Sequence, residues 1–98
     1  MKGKQRSYLK GLAQQIQPTV YIGKAGLTEA LVQSVDDALS ARELVKCQIQ
    51  DGAGLAPAET CDQLAHALGA EFVQAIGHRF VLYRQAKDPD HRKIQLPR

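Results

Sequence analysis

The chain has 98 residues, of which 44% are hydrophobic, so it can bury one modest core and form a single domain. No apolar run approaches the roughly 20 residues that span a bilayer, and none follows the basic N-terminus as a secretory signal would require. Its two cysteines, Cys47 and Cys61, are too few for a disulfide framework or a four-cysteine zinc site. We therefore expect a cytoplasmic protein with core cysteines, a redox pair being the alternative.

The net charge of +3 is unevenly distributed along the chain. Residues 1–26 hold five Lys or Arg and no acid, residues 27–78 hold two Lys or Arg and eight acids, and residues 79–98 hold six Lys or Arg and two acids. Two basic ends around an acidic middle suggest a face that binds a polyanion. The alternative is that the ends are merely solvated, because chain ends are often charged and unstructured.

The first part of the chain predicts a helix followed by a strand. Apolar side chains recur at three- and four-residue spacing over residues 4–16, which indicates a helix with one apolar stripe. Pro18 ends this helix because it has no N–H group and disfavours the helical conformation of the residue before it. Residues 19–22 are rich in β-forming side chains and predict the first strand.

A glycine-flanked loop then opens a second helix. Gly23 and Gly26 enclose Lys24 and Ala25, and glycine allows positive φ and close approach of another molecule. Thr28 is a typical N-cap, and the helix start leaves unpaired N–H groups and partial positive charge beside the loop. This combination favours an anion site, above all for phosphate. The alternative is a plain strand-to-helix turn, since two glycines three residues apart often occur by chance.

The second helix is expected to run to about residue 41, followed by a strand over residues 44–50. The helix should bury an apolar stripe and turn three polar residues to water. The buried positions are Leu27, Leu31, Val35, Ala38 and Leu39, and the polar ones are Gln33, Asp36 and Asp37. In the strand, Val45, Cys47 and Ile49 alternate with polar residues, which predicts one buried face.

The second half of the chain predicts a third helix and a hairpin. Pro57 suits the first turn of a helix over about residues 57–68, and Gly69 suits its end. Strands over residues 71–76 and 79–84 are joined by Gly77-His78, two residues with glycine first, as in a tight hairpin turn.

These elements predict an α/β fold of the α+β type in the order α-β-α-β-α-β-β. Strands separated by helices favour parallel neighbours and the hairpin adds an antiparallel pair, so we expect a four-stranded mixed sheet. We expect two layers, with helices on one face of the sheet and the other face partly wet. Residues 85–98 have little periodicity and predict an extended basic tail after a domain of residues 1–84, with Ile94 and Leu96 as candidates for contact with that domain.

The sequence does not predict an enzyme. Its acidic residues fall on helix surfaces or ends, where charges are usually just solvated. His66, His78 and His91 lie on different elements without metal-ligand spacing. The loop 23–26 is not followed by the Gly-Lys-Ser/Thr of a P-loop, and the dinucleotide fingerprint is absent. We expect no catalytic residues, no metal and no cofactor.

A nucleic-acid interface accounts for more of these observations. A loop with two glycines that opens a helix can clamp a sugar–phosphate backbone, as the corresponding loop of KH domains does. The basic first helix and the basic C-terminal segment could extend the footprint. Few aromatic side chains are available for base stacking; Tyr21 and Tyr83 are candidates, and both could equally be core. We therefore expect binding dominated by phosphate contacts, with strong salt dependence.

Several stretches together resemble the CRM domain, and more closely its stand-alone bacterial members, the YhbY-like proteins. They are residues 9–13, 20–29, 43–46, 81–84 and 93–98. The resemblance implies an RNA-binding domain related in fold to the C-terminal domain of a bacterial translation initiation factor. It also implies structured ribosomal RNA and precursors of the large ribosomal subunit as partners during ribosome assembly. From the apolar pattern and the motif search we expect no membrane partner and no small-molecule cofactor.

The resemblance also implies the site residues. The RNA-contacting loop of the family falls on Gly23, Lys24, Ala25 and Gly26. The family presents basic side chains around that loop, and the inferred equivalents are Lys4, Arg6, Lys10 and Arg79.

A second hypothesis comes from a different class of protein. The acidic middle of the chain, especially Asp36, Asp37 and Glu43, could dock a basic partner such as a ribosomal protein. The chain would then be a protein-interaction adaptor. A site for a small phosphate compound is disfavoured because no pocket-forming motif accompanies the loop.

Overall fold

Three α-helices and four β-strands alternate along the chain in a computed structural model that describes residues 1–98. The elements are α1 (Gly3–Ala13), β1 (Val20–Ile22), α2 (Glu29–Arg42), β2 (Leu44–Ile49), α3 (Pro57–Leu68), β3 (Glu71–Ile76) and β4 (Arg79–Tyr83), with a short 3-10 helix at Pro89–His91. The predicted order α-β-α-β-α-β-β is confirmed. None of the helices is both long and apolar enough to span a membrane.

The four strands form one mixed sheet, as predicted, and their order in the sheet is β1-β2-β4-β3. The pair β1–β2 is parallel, whereas β2–β4 and β3–β4 are antiparallel. The hairpin between β3 and β4 turns through Gly77, whose φ is 60°, and His78 does not share the positive φ. This places the positive φ at the first turn position, as in a type II′ turn. A bulge between Phe72 and Gln74 shifts the register of β3.

One face of the sheet carries the main core, built by α2 and α3. Val45, Cys47 and Ile49 of β2 point into it, as their alternation predicted. Cys47 and Cys61 are both fully buried free thiols. Burial raises the pKa of each thiol to about 12, and a protonated buried thiol is inert. The prediction that the cysteines are core residues is confirmed.

The other face of the sheet is covered by α1 and by the C-terminal segment. Leu9 and Ala13 of α1 pack against buried side chains of the strands, among them Leu44 and Tyr83. The expectation of two layers is therefore wrong. On this face, β2 and β4 carry apolar side chains at the end farthest from the loop 23–26. That part of the sheet is stable only when other elements pack over it. Tyr83 is core and cannot stack a base.

The helix ends follow the predicted capping residues. The N–H of Leu31 donates to Oγ1 of Thr28 at 3.1 Å, which caps α2. Gly69 ends α3 with a φ of 63°. The helix α1 stops at Ala13 rather than at residue 16, because the next N–H groups bond three residues back, as Gln14 does to Gly11 at 3.3 Å.

The C-terminal segment is fixed to the domain through a buried glutamate. The carboxylate of Glu43 accepts hydrogen bonds from the N–H groups of Ala86, Lys93 and Ile94 at 2.9, 2.6 and 3.0 Å. Glu43 is fully buried and has a φ of 68°, the one positive φ outside glycine. Ile94 and Leu96 pack beside α1. Residues 85–98 thus lie against the domain, and Ile94 and Leu96 make the contact for which they were candidates.

Candidate nucleic-acid interface

The loop 23–26 lies where β1 ends and α2 approaches its N-cap. Gly26 has a φ of 71°, whereas Gly23 does not have a positive φ. Glycine allows a positive φ, and the loop uses this freedom at Gly26 but not at Gly23. A Cβ at Gly23 would lie 3.0 Å from Oε1 of Gln50, the end of an exposed and flexible side chain, so a small shift of that side chain would make room for it. A side chain at Gly26 would meet nothing within 4 Å, so backbone conformation alone selects glycine there.

Two backbone donors in the loop have no partner within the chain. The N–H of Gly26 donates to the carbonyl of Gly23, and the N–H of Thr28 donates to the carbonyl of Gly26, both at 3.0 Å. The N–H groups of Lys24 and Ala25 make no hydrogen bond within the chain, and both residues are exposed. Together with the Lys24 ammonium and the positive end of the α2 dipole, these donors can bind one phosphate. Glu29 in the first turn of α2 is the opposing charge.

Arg79 is the inferred basic residue that the sheet brings nearest to the loop end. Its Nε donates to Oε1 of Gln48 at 3.0 Å, and Gln48 stands opposite Tyr21 in the register of β1 and β2. Two strand spacings of about 4.8 Å separate β4 from β1, so the backbone of Arg79 lies about 10 Å from the strand that leads into the loop. A phosphodiester chain of a few nucleotides bridges that distance.

The three inferred basic residues of α1 lie farther away. Lys10 and Arg6 line a shallow groove along β3, the edge of the sheet opposite β1. Arg6 is partly committed to the fold, because its Nε donates to the carbonyl of Phe72 at 3.1 Å. Lys4 is exposed in the first turn of α1. The next residue, Gln5, bonds the carbonyl of Pro97 at 3.1 Å, so this turn meets the C-terminal segment.

The sequence pointed to Tyr21 and Arg79 separately but did not reveal that they belong to one row of side chains across the sheet beside the loop. Tyr21, Gln48, Arg79 and Ile76 stand opposite one another in the strand register and face away from the main core. We call these four residues the open row. Tyr21 is 55% exposed and Ile76 is 69% exposed, because α1 covers the sheet only beyond this row. The alternation of β1 and β2 indicates that Tyr21 and Gln48 share one face of the sheet. It does not indicate how far α1 extends over that face.

Most of the acidic residues of the adaptor hypothesis are buried or paired with other groups of the chain. Glu43 is buried beneath the C-terminal segment. Asp36, expected to face water, is half-buried and pairs with Nη1 of Arg84 at 2.7 Å. The same guanidinium donates to the carbonyls of Asp36 and Leu68. Asp37 is exposed, and its Oδ1 accepts from the Gln33 amide at 2.9 Å. Of the three carboxylates, only that of Asp37 is exposed and outside an ion pair.

Known proteins are similar to this chain in both sequence and fold. The pattern of the CRS1/YhbY (CRM) domain matches residues 1–84. A Haemophilus influenzae protein named RNA-binding protein is 41% identical, over 97% of this chain and 93% of that one. The probable RNA-binding protein YqeI of Bacillus subtilis is 29% identical over 99% of each chain. The solution structure of a Staphylococcus aureus protein, described as a candidate RNA-binding protein, has a TM-score of 0.78 at 37% identity over 99% of both chains. The chain therefore belongs to the CRS1/YhbY (CRM) domain family.

Proposed function

We propose that this protein binds RNA without catalysing a reaction on it, and that the loop 23–26 holds the sugar–phosphate backbone. The observation that carries the proposal is the pair of unbonded N–H groups at Lys24 and Ala25, beside a lysine side chain at the N-terminal end of α2. Such donors hold a phosphate whatever base it carries, so they position RNA rather than read its sequence. The names of the relatives from Haemophilus influenzae and Bacillus subtilis support this function.

The basic side chains extend the footprint from the loop. Arg79 lies on the same end of the sheet, and Lys10 lies along β3. Arg6 and Lys4 continue the positive charge along α1. An RNA strand that leaves the loop across the sheet would meet these groups in that order, which gives a phosphate-dominated and salt-sensitive interaction.

We further propose that the RNA is structured ribosomal RNA in precursors of the large ribosomal subunit, met in the cytoplasm. This part of the proposal is supported by the resemblance to stand-alone bacterial YhbY-like proteins. Sedimentation tests it: the tagged protein should travel with precursors of the large subunit in a sucrose gradient, and its Lys24→Ala variant should shift toward the top. Co-sedimentation that survives complete nuclease digestion would instead favour the protein-interaction adaptor.

The salt dependence of RNA affinity tests the role of the loop. We expect a steep fall of affinity with salt for the wild type, and a slope smaller by about one unit for Lys24→Ala, because one phosphate contact is lost. Lys87→Ala is the matched control. Lys87 is exposed and follows β4 beyond Tyr83, at the end of the sheet away from the loop. Equal slopes for wild type and Lys24→Ala would make the loop a structural turn.

A further inference from the structure

The open row combines two apolar side chains with a planar cation held between them. Tyr21 and Ile76 stand at the two edges of the sheet and are the two most exposed large hydrophobic residues of the chain. Between them, the Gln48 amide oxygen accepts from Nε of Arg79 at 3.0 Å. That single bond leaves the remaining N–H groups of the guanidinium and the Gln48 amide nitrogen free. The row therefore offers two flat surfaces, a phenol ring and a guanidinium, with polar donors beside them.

The size of the open row limits what can cover it. Three strand spacings of about 4.8 Å give a length of about 15 Å, and one side-chain repeat gives a width of about 7 Å. The resulting area, on the order of 100 Å², is far below the roughly 800 Å² that each partner buries in a stable protein–protein interface. A surface of that size matches one or two nucleobases.

The surrounding charges favour a polyanion over a basic or neutral partner. No acidic side chain belongs to the open row, and Lys24 follows Tyr21 by three residues. Two acids lie near this end of the sheet: Glu29 in the first turn of α2, and Asp51, whose Oδ1 lies 3.2 Å from Nε2 of His78 in the hairpin turn. Unpaired nucleotides carry the complementary chemistry, since their phosphates are negative and their bases stack on aromatic rings and guanidinium planes.

We propose that the open row binds one or two unpaired nucleobases of the RNA strand whose phosphate lies on the loop 23–26; this rests on the RNA-binding function proposed above. Tyr21 stacks one base, and Arg79, positioned by Gln48, stacks or hydrogen-bonds the next. Loops and bulges of a structured RNA expose such bases, whereas the bases of a continuous duplex are already stacked on their neighbours. The open row would thus select unpaired segments, while the loop accepts any phosphate backbone.

The test compares a short single-stranded RNA that carries 2-aminopurine with a blunt RNA duplex of equal length. Tyr21→Leu should weaken binding of the single strand about 10-fold, because base stacking on an aromatic ring is lost, and leave duplex binding unchanged. Tyr21→Trp should retain the affinity and the quenching of 2-aminopurine fluorescence. Tyr8→Leu is the matched control, since Tyr8 is 43% exposed on α1, outside the open row. Circular dichroism verifies that each variant is folded.

The outcomes separate this inference from the function on which it rests. Base stacking on the open row is supported if Tyr21→Leu loses single-strand affinity and 2-aminopurine quenching while Tyr21→Trp and Tyr8→Leu retain both. If Lys24→Ala weakens both RNAs but Tyr21→Leu binds the single strand like the wild type, the loop is functional and the open row does not hold bases. Equal weakening by Tyr8→Leu would also refute a specific role of Tyr21. A wild type that binds neither RNA would overturn both proposals.

Discussion

Replacing Glu43 tests whether one buried carboxylate fastens the C-terminal segment to the sheet. The carboxylate accepts three backbone hydrogen bonds of 2.6 to 3.0 Å, and a hydrogen bond to a charged group contributes about 1.5–3 kcal/mol. Glutamine has the same shape but a single acceptor oxygen, so at least one N–H would face an NH₂ group. We expect Glu43→Gln to lower the free energy of unfolding by about 2 kcal/mol at neutral pH, and Glu43→Ala by about 4 kcal/mol.

The pH dependence of this effect has a definite sign. Burial by itself would raise the pKa of the Glu43 carboxyl, but the N–H groups of Ala86, Lys93 and Ile94 and the charge of Arg92 lower the pKa below its ordinary value of 4.5. The stabilisation is therefore complete above about pH 4.5 and is lost as the pH falls through the lower pKa of the folded protein. Because glutamine does not titrate, the stability gap between wild type and Glu43→Gln should narrow in that acidic range.

Urea denaturation, monitored by circular dichroism, measures the difference in unfolding free energy between wild type and Glu43→Gln at neutral and at acidic pH. Amide hydrogen exchange adds a local readout, since the N–H groups of Ala86, Lys93 and Ile94 should lose protection in Glu43→Gln. Asp37→Asn removes an exposed charge from α2 and serves as the control, with an expected change within about 0.5 kcal/mol. An unchanged urea midpoint for Glu43→Gln, or a gap equally wide at neutral pH and at about pH 3, would refute the fastening role.

Three further predictions concern other parts of the fold. Arg84→Ala should lower the free energy of unfolding by about 2 kcal/mol, because the half-buried carboxylate of Asp36 and the carbonyl of Leu68 at the end of α3 lose their shared cation. Arg84→Lys should recover only part of this stability, because lysine lacks the planar guanidinium. Thermal unfolding of the two variants measures both effects. Gly26→Ala should cost about 1 kcal/mol, since its Cβ meets no atom but alanine disfavours a φ of 71°; an unchanged midpoint would mean that the loop rearranges. Cys47 and Cys61 should react with a thiol reagent at neutral pH only as fast as the protein unfolds, whereas rapid labelling of the native state would contradict their burial.

The parts of the fold that follow from local periodicity were predictable. The 3.6-residue spacing located the three helices, Thr28 and Gly69 marked helix ends, and Gly77 marked the hairpin turn. The alternation of β2 also identified its buried face. Each of these features depends on residues only a few positions apart, so the sequence contains the whole signal.

The features that the sequence did not reveal depend on residues far apart in the chain. Glu43 looks like an ordinary helix-end charge until residues more than forty positions later supply its donors. Tyr21 and Tyr83 are both strand residues on the same face of the sheet, yet Tyr83 is 5% exposed and Tyr21 is 55% exposed. What separates them is the reach of α1 over the sheet, which no local pattern contains.

The contact between Gln5 and Pro97 has a practical consequence for how this domain can be connected to others. Their hydrogen bond of 3.1 Å brings the first turn of α1 beside the last residues of the chain. Gln5 and Leu96, the residue before Pro97, line one groove with Glu71 and Tyr83, at the far end of the sheet from the loop 23–26. A short linker peptide could therefore join the two ends into a circular chain. The domain could also be inserted into a surface turn of a host protein. In either arrangement the loop and the open row would point away from the junction and stay free for a ligand.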